Sequence, residues 1–152
     1  MITIGIRAEP KKVTFAIFDS EKNKIKNLEE IVIPTTFSLP EQLKFLRNTL
    51  LDIAREYGVE AAGVRIAESS SQNQSNERLY LEAVAMESFA SSTIKSYYAG
   101  RKTGICSRLE ITTKLFDEIV GGRDPFADVK GWPSNKSVVS REAILIAMAA
   151  CA

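Results

Sequence analysis

An arginine at the end of an apolar stretch is the first residue of chemical interest. Arg7 follows the run Ile2 to Ile6. A guanidinium is always charged and is costly to bury without a partner. We therefore expect an acidic side chain to face Arg7 in the folded chain, and that acid would mark the position of a charged site.

The residue types present limit the chemistry that such a site could perform. The chain contains no histidine, which excludes Ser-His-Asp triads and zinc sites of the usual Cys/His kind. Its two cysteines, Cys106 and Cys151, lie far apart in sequence. Cys106 could be a nucleophile, but no histidine can activate it, so we interpret it as a small buried core residue. Any catalysis would depend on carboxylates, hydroxyls, lysines or a thiol.

A small basic cluster is the candidate for binding nucleic acid. It consists of Lys95, Arg101 and Lys102 near Tyr97 and Tyr98, which could bind backbone phosphates and stack a base. Such clusters are more often simply solvated surface. The net charge of +1 gives no bulk attraction to nucleic acid or to an anionic membrane. Any nucleic-acid binding should therefore be weak, non-specific and strongly dependent on salt.

Length and composition predict one domain over residues 1–152. The chain is 45% hydrophobic and has the size of an ordinary domain with an adequate core. No apolar run approaches the roughly 20 residues of a membrane span, and the N-terminus lacks the basic-then-apolar pattern of a signal peptide. We expect a cytoplasmic protein without a membrane partner.

The first half of the chain predicts three strands and a helix. Apolar runs over residues 2–6 and 13–18 flank a turn-like stretch, which indicates a β-hairpin. Residues 31–33 predict a short third strand, and we expect all three strands to be adjacent and antiparallel. A helix should then begin at the N-cap Ser38 and end at Gly58.

The second half predicts alternating strands and helices. Residues 61–68 read as a buried strand that finishes on Glu68, followed by a polar loop over residues 69–76. The further predicted elements are a helix over residues 77–92, an element within 92–100, a helix near 108–121, a connector, and a last helix over 140–150 with Ser140 as N-cap. Trp132 in the connector could cap the core or mark a partner surface, and we favour the cap.

The order of these elements resembles the ribonuclease-H-like superfamily, and within it the RuvC-like branch of resolvases and nucleases. "ITIGIRAEPKKVTFAIFD" is similar to the opening hairpin of that branch, with Arg7 where an aspartate is expected. "AAGVRIAE" resembles its fourth strand, whose terminal glutamate would be Glu68, and "SSTIKSYYAG" resembles the segment that carries a lysine, here Lys95. "SREAILIAMAA" resembles the closing helix, with Glu142 at one acidic position and Val139 at the other.

The resemblance implies an α/β fold, a ribonuclease-H-like mixed five-stranded sheet whose first three strands are antiparallel, with helices on both faces. Active members of the superfamily hold two divalent cations on clustered carboxylates and cleave phosphodiester bonds. Glu68 and Glu142 would be catalytic residues and metal ligands if this chain were active. Because Arg7 replaces an expected ligand, we expect its guanidinium to take the place of the metal and to face Glu68 and Glu142.

Two functions follow from these expectations. In the first, which we favour, the protein is a catalytically degenerate RuvC-like module that needs no cofactor and associates with nucleic acid or with a protein partner. In the second, it is a nuclease or resolvase dependent on Mg²⁺ or Mn²⁺, in which Glu68, Glu142 and either Glu9 or Glu87 surround a shifted ion. Simpler roles also exist, because Glu68 could be merely solvated and Glu142, two residues after Ser140, could complement a helix dipole.

Overall fold

A mixed sheet of five strands organises the chain. The computed structural model describes residues 1–70, 74–124, 126, 128–134 and 137–152. The sheet order is β3-β2-β1-β4-β5, in which β1, β2 and β3 are antiparallel neighbours and β4 and β5 run parallel to β1. The predicted mixed sheet is confirmed. The strands are β1 (Ile2–Glu9), β2 (Lys12–Asp19), β3 (Lys24–Val32), β4 (Ala61–Arg65) and β5 (Ser96–Gly100).

Helices cover both faces of this sheet, as predicted. On one face, α1 (Leu39–Tyr57) and α2 (Asn76–Ala90) pack over the even-numbered side chains of β1 in the largest apolar core. The other face is covered by α5 (Val138–Ala149), and α3 (Lys102–Leu109) and α4 (Thr113–Val120) pack against α5. Along the described residues, no helix is both long and apolar enough to cross a bilayer.

The ends of α1 follow from local sequence. Ser38 and Glu41 form a capping box at its start, so each residue satisfies a backbone amide that the helix leaves unpaired. Gly58 ends the helix with a φ of 62°, a left-handed conformation that glycine adopts without a steric penalty. Both predicted ends of this helix are confirmed.

Three predicted boundaries change in the structure. β3 spans Lys24–Val32 rather than residues 31–33 and pairs along the whole of β2. The sequence pattern does not predict its first residues as strand because many of them are exposed and charged, as is common at a sheet edge. β4 ends at Arg65, so Glu68 lies three residues beyond the strand. The last helix is capped by Ser137 rather than Ser140, which places Glu142 in its second turn and removes the helix-dipole role.

The segment after β5 also differs from its prediction. The single helix expected near residues 108–121 is two helices, because Glu110 takes a left-handed conformation with a φ of 56° and ends α3. The Thr112 hydroxyl then accepts a hydrogen bond from the amide of Leu115 at 3.0 Å and caps α4. Parts of the predicted polar loop (residues 71–73) and of the connector (residues 125, 127, 135 and 136) lie outside the described residues.

Two glycines set the position of α5 over the central strands. A Cβ on Gly5 would lie 2.1 Å from the carbonyl oxygen of Ala143, and one on Gly63 would lie 2.7 Å from Cγ2 of Ile146. The helix therefore rests directly on β1 and β4. Arg7 and Arg65 each follow a glycine by two residues, so their side chains emerge on the same face of the sheet, next to the N-terminal half of α5.

Candidate functional site

The acid that faces Arg7 is Glu142. Nε of Arg7 donates to Oε2 of Glu142 at 2.7 Å, and the two side chains are only 15% and 10% exposed. Nη1 of Arg7 also donates to the carbonyl oxygen of Ala8 at 2.5 Å. The expectation that an acid from the last helix compensates Arg7 is confirmed.

A second arginine, Arg65, shares this site. It is the register partner of Arg7 on the neighbouring parallel strand, and its Nε lies 3.4 Å from Oε2 of Glu142. Its Nη1 lies 3.1 Å from Oε1 of Glu68 and donates to the carbonyl oxygen of Ile66 at 2.6 Å. The expected contact between Arg7 and Glu68 is therefore corrected: because β4 ends at Arg65, Glu68 pairs with Arg65 instead.

Glu68 is held from two sides. Its Oε1 accepts a hydrogen bond at 2.9 Å from the amide of Lys102, the first residue of α3, where the positive end of the helix dipole favours an anion. Partial burial by itself raises the pKa of Glu68, but this amide and the charge of Arg65 together outweigh it and hold the pKa below its usual range. Glu68 is therefore a carboxylate at neutral pH, and it is already engaged by the protein.

A third acid–arginine pair borders the site from α2. Glu82 is buried, and its Oε1 accepts hydrogen bonds from the amide of Ala67 at 3.0 Å and from Nε of Arg78 at 2.8 Å. Burial, followed by the positive charge of Arg7, lowers the pKa of Arg78. The positive charges of Arg7 and Arg65 thus act on Arg78. Each of the three arginines also has a glutamate partner.

Unsatisfied polar atoms concentrate in the same place. Within the described ranges, three buried side-chain atoms make no hydrogen bond: Oε2 of Glu9, Oγ1 of Thr14 and Nε of Arg65. Two of them lie in longer ion pairs, Glu9 at 3.7 Å from Nζ of Lys12 and Arg65 at 3.4 Å from Glu142, which leaves the Thr14 hydroxyl without either kind of contact in this part of the chain. Thr14 is the register partner of Arg7 on β2, and Glu9 ends β1 on the same face as Arg7. Buried polar groups in native proteins are normally satisfied, so such groups mark positions where function competes with stability.

The residues present do not fit a two-metal centre. Divalent magnesium or manganese needs several free oxygen ligands, but Glu68 and Glu142 are both bound by guanidinium groups. In the part of the chain that the structure describes, no group of three or more His, Cys, Asp or Glu residues could hold a metal ion. At this site, Glu68 and Glu142 neutralise arginine side chains and are not free to act as metal ligands.

The predicted basic cluster does not assemble. Lys95 precedes β5, is 81% exposed at its side chain and lies 3.8 Å from Glu60. Arg101 and Lys102 follow β5 at its other end, where Nε of Arg101 donates to the carbonyl oxygen of Ala67 at 3.2 Å and Nζ of Lys102 pairs with Asp117 at 2.8 Å. The length of a strand therefore separates Lys95 from the other two cations.

The aromatic residues of this cluster differ from each other. Tyr98 is partly buried and its hydroxyl donates to the carbonyl oxygen of Ile146 at 3.0 Å, whereas Tyr97 is 52% exposed. Burial also raises the pKa of Tyr98. Of the two, Tyr97 is the one that a base could reach.

The remaining candidates take structural positions. Glu87 of α2 pairs with Arg47 of α1 at 2.9 Å, on the sheet face opposite α5. Cys106 is buried as predicted, and burial raises the pKa of its thiol. Trp132 packs against two of the apolar clusters beneath α5, which agrees with its predicted role as a cap on the core.

Arg65 is the residue that sequence analysis missed, although a repeated pattern could have revealed it. Gly5-Ile6-Arg7 in β1 and Gly63-Val64-Arg65 in β4 are the same glycine, β-branched residue and arginine triplet. Two such triplets in neighbouring parallel strands place both glycines under one helix and both arginines at one end of the sheet.

Comparisons with known proteins agree on the fold. No family model matches the sequence, and a search of curated proteins found no match. The structure is similar to that of Thermus thermophilus RuvC, with a TM-score of 0.73, 14% identity and coverage of 98% of this chain and 92% of that chain. It is similarly close to T. thermophilus RuvC in complex with a Holliday junction substrate, with a TM-score of 0.73, 12% identity and coverage of 98% and 91%.

A eukaryotic resolvase shows the same likeness more distantly. The yeast mitochondrial Holliday junction resolvase Ydc2 matches with a TM-score of 0.54 and 11% identity over 97% of this chain and 76% of that chain. The sheet order, the helices on both faces and these neighbours together assign the chain the ribonuclease-H-like fold in its RuvC-like form.

Proposed function

We propose that the protein is a catalytically silent RuvC-like module that associates with nucleic acid or with a protein partner. The observation that carries this proposal is the contact of 2.7 Å between Nε of Arg7 and Oε2 of Glu142, with Arg65 beside it. One domain over residues 1–152 and a cytoplasmic location are parts of the same proposal.

Charge is the physical reason that cleavage is not expected. Two unit charges 4 Å apart interact by about 4 kcal/mol at an effective dielectric constant of 20, and a divalent cation would double the repulsion from each guanidinium. Such an ion would have to displace both Arg7 and Arg65 from Glu142. Arg7 of β1 and Arg65 of β4 are register partners and both lie beside Glu142. At position 139, where the RuvC-like resemblance implies a second acid in the last helix, the residue is valine.

The remaining cations support a binding role of limited strength. Arg101 and Lys102 lie next to the Glu68 end of the site and could contact phosphate groups of a nucleic-acid backbone. The solved RuvC complex contains a Holliday junction substrate, and for this chain we propose a related but weak and salt-dependent association. Binding to branched, duplex and single-stranded DNA at two salt concentrations would test this, and tight binding at high salt would contradict it.

A cleavage assay and thermal melts together test the loss of catalysis. The wild type should leave a Holliday junction intact with Mg²⁺ or Mn²⁺, and metal should not raise its melting temperature. Arg7→Asp should melt lower than the wild type in chelator and recover part of this loss with metal, because it adds an oxygen ligand beside Glu142. Arg55→Asp, on an exposed arginine of α1, is the matched control.

The opposite result would identify the nuclease alternative. If the wild type cleaves DNA and shows the largest stabilisation by metal, then Arg7 does not replace a metal. Glu68 and Glu142 would in that case act as ligands after the arginines move away.

A further inference from the structure

β5 forms an open edge of the sheet. It pairs only with β4 among the described strands, and Ser96, Tyr97 and Ala99 are exposed along it. The amide of Ile66 donates to the carbonyl oxygen of Gly100 at 3.1 Å, so the backbone of residue 100 faces β4. Because backbone direction alternates along a strand, Tyr98 and Ser96 also face β4, whereas the amides and carbonyls of Tyr97 and Ala99 face outward and are free to pair with another strand.

Two pockets flank this edge, one on each face of the sheet. On the α2 face, a pocket of about 240 Å³ is lined by apolar side chains that include Val64, Met86 and Phe89. On the opposite face, a pocket of about 180 Å³ is lined by Ser96, Tyr98 and Arg108. A strand added to β5 would direct alternate side chains to these two faces, one apolar and one cationic.

Charge defines the occupant more closely. Arg108 stacks its guanidinium 4.0 Å above the ring of Tyr98, within the second pocket. Lys95 lies at the start of β5 and Arg101 directly after its end, so cations stand at both ends of the edge. A second copy would pair poorly, because antiparallel contact of two β5 edges would place the Lys95 end of one beside the Arg101 end of the other.

We propose that the β5 edge binds an extended segment of a partner protein in which apolar and acidic residues alternate. The apolar side chains enter the pocket beside α2, the acidic ones face Arg108, and main-chain hydrogen bonds to Tyr97 and Ala99 hold the segment. This inference rests on the proposed association with a protein partner. It uses none of the residues of the Arg7 site, which consists of Arg7, Arg65, Glu68 and Glu142.

The first test uses a fluorescein-labelled peptide of alternating valine and aspartate as the probe. Fluorescence anisotropy with the full chain should detect binding, and amide shifts in NMR spectra should map it to residues 96–99. A peptide of the same composition with all valines before all aspartates should bind at least about tenfold more weakly. Absence of binding, equal binding of the two peptides, or shifts on β3 would overturn the proposal, as would dimers of the chain formed through β5.

Variants then separate backbone pairing from charge. Ala99→Pro removes an outward donor while leaving the pairing of β4 and β5, and should weaken binding about tenfold or more. Ala99→Asp places an acid in the apolar pocket and gives a second, independent loss. Arg108→Glu should reverse the preference toward a valine–lysine peptide, whereas Lys26→Glu, on the other sheet edge, should change nothing.

Failure here is distinguishable from failure of the proposed function. DNA cleavage by the wild type would refute the silent site without affecting peptide binding. Unchanged peptide affinity in both Ala99→Pro and Ala99→Asp, with thermal melts that show folded protein, would refute the β5 edge alone.

Discussion

Two neighbouring residues of α5 show two different ways of burying charge. Arg141 is 1% exposed, and Nη1 donates to the carbonyl oxygens of Ile119 and Arg123 at 3.1 Å and to Oδ1 of Asp124 at 2.8 Å. Glu142, the next residue, points to the sheet and is bound by the arginines of β1 and β4.

The partners of the two residues differ in kind. Arg141 is bound mainly by main-chain carbonyls, which fasten the end of α4 and the connector to α5, and Trp132 lies 5.5 Å from its guanidinium. Glu142, in contrast, is bound by side chains, and the Thr14 hydroxyl, which has no hydrogen-bond partner among the described residues, borders its site. A satisfied network of this type stabilises a fold, whereas an unsatisfied one at the end of a sheet is typical of a functional position.

Arg141→Met should give the largest loss of stability. The change keeps an apolar stem in the core but removes the donors that satisfy carbonyls of two segments, so we expect a loss of about 3–5 kcal/mol. Urea denaturation would measure it. Arg123→Met, on a side chain that is 61% exposed and pairs with Glu118, should cost about 1 kcal/mol or less. Equal losses for the two variants would mean that Arg141 does not fasten the connector.

Arg7→Ala should cost less, about 2–3 kcal/mol, because Arg65 remains within 3.4 Å of Glu142 and compensates part of its charge. The pair should also couple. Arg7→Ala combined with Arg65→Ala should lose more stability than the sum of the single variants, since only the double variant leaves Glu142 without a cation. Additive losses in urea denaturation would show that the two arginines do not share the acid.

The fold was more predictable from sequence than the site. Hydrophobic runs and the caps Ser38 and Gly58 are local features, so they indicated the sheet and α1 correctly. The partner of Glu68 depends on where β4 ends and on the parallel register of Arg7 with Arg65, which are tertiary properties. The separation of Lys95 from Arg101 also could not be seen in the sequence. The two residues are only six positions apart, but they lie at opposite ends of the extended strand β5.

The pH dependence of stability would sharpen the assignment of Glu68. Its pKa in the folded state is below the ordinary value of 4.5, so its stabilising contribution is complete above the unfolded pKa and is lost as pH falls through the folded one. Glu68→Gln should therefore be less stable than the wild type at neutral pH, and the difference should shrink as pH drops below about 4.5. Melts from neutral to acidic pH would follow this, with Glu29→Gln on the exposed edge of β3 as control. A difference that stays constant with pH would contradict the hydrogen bond and ion pair of Glu68.

The smallest expected effect distinguishes satisfied from unsatisfied groups on one face of the sheet. Thr3 and Thr14 are both buried on the α5 side, but Oγ1 of Thr3 donates to the carbonyl oxygen of Ala147 at 2.6 Å, whereas Oγ1 of Thr14 has no partner among the described residues. Valine has nearly the shape of threonine without its hydroxyl. Thr3→Val should therefore cost about 1 kcal/mol, and Thr14→Val should stabilise the protein by up to about 1 kcal/mol because it removes a desolvated group that makes no hydrogen bond.

The sign of the Thr14→Val effect in urea denaturation is the decisive quantity. A gain of stability would mean that the protein tolerates an unsatisfied hydroxyl beside Arg7, as expected where a functional position competes with packing. A loss as large as that of Thr3→Val would mean that the hydroxyl is bonded in solution, for example to an ordered water. The Arg7 site would then be as fully satisfied as the Arg141 site, and the contrast between the two neighbours on α5 would no longer indicate function.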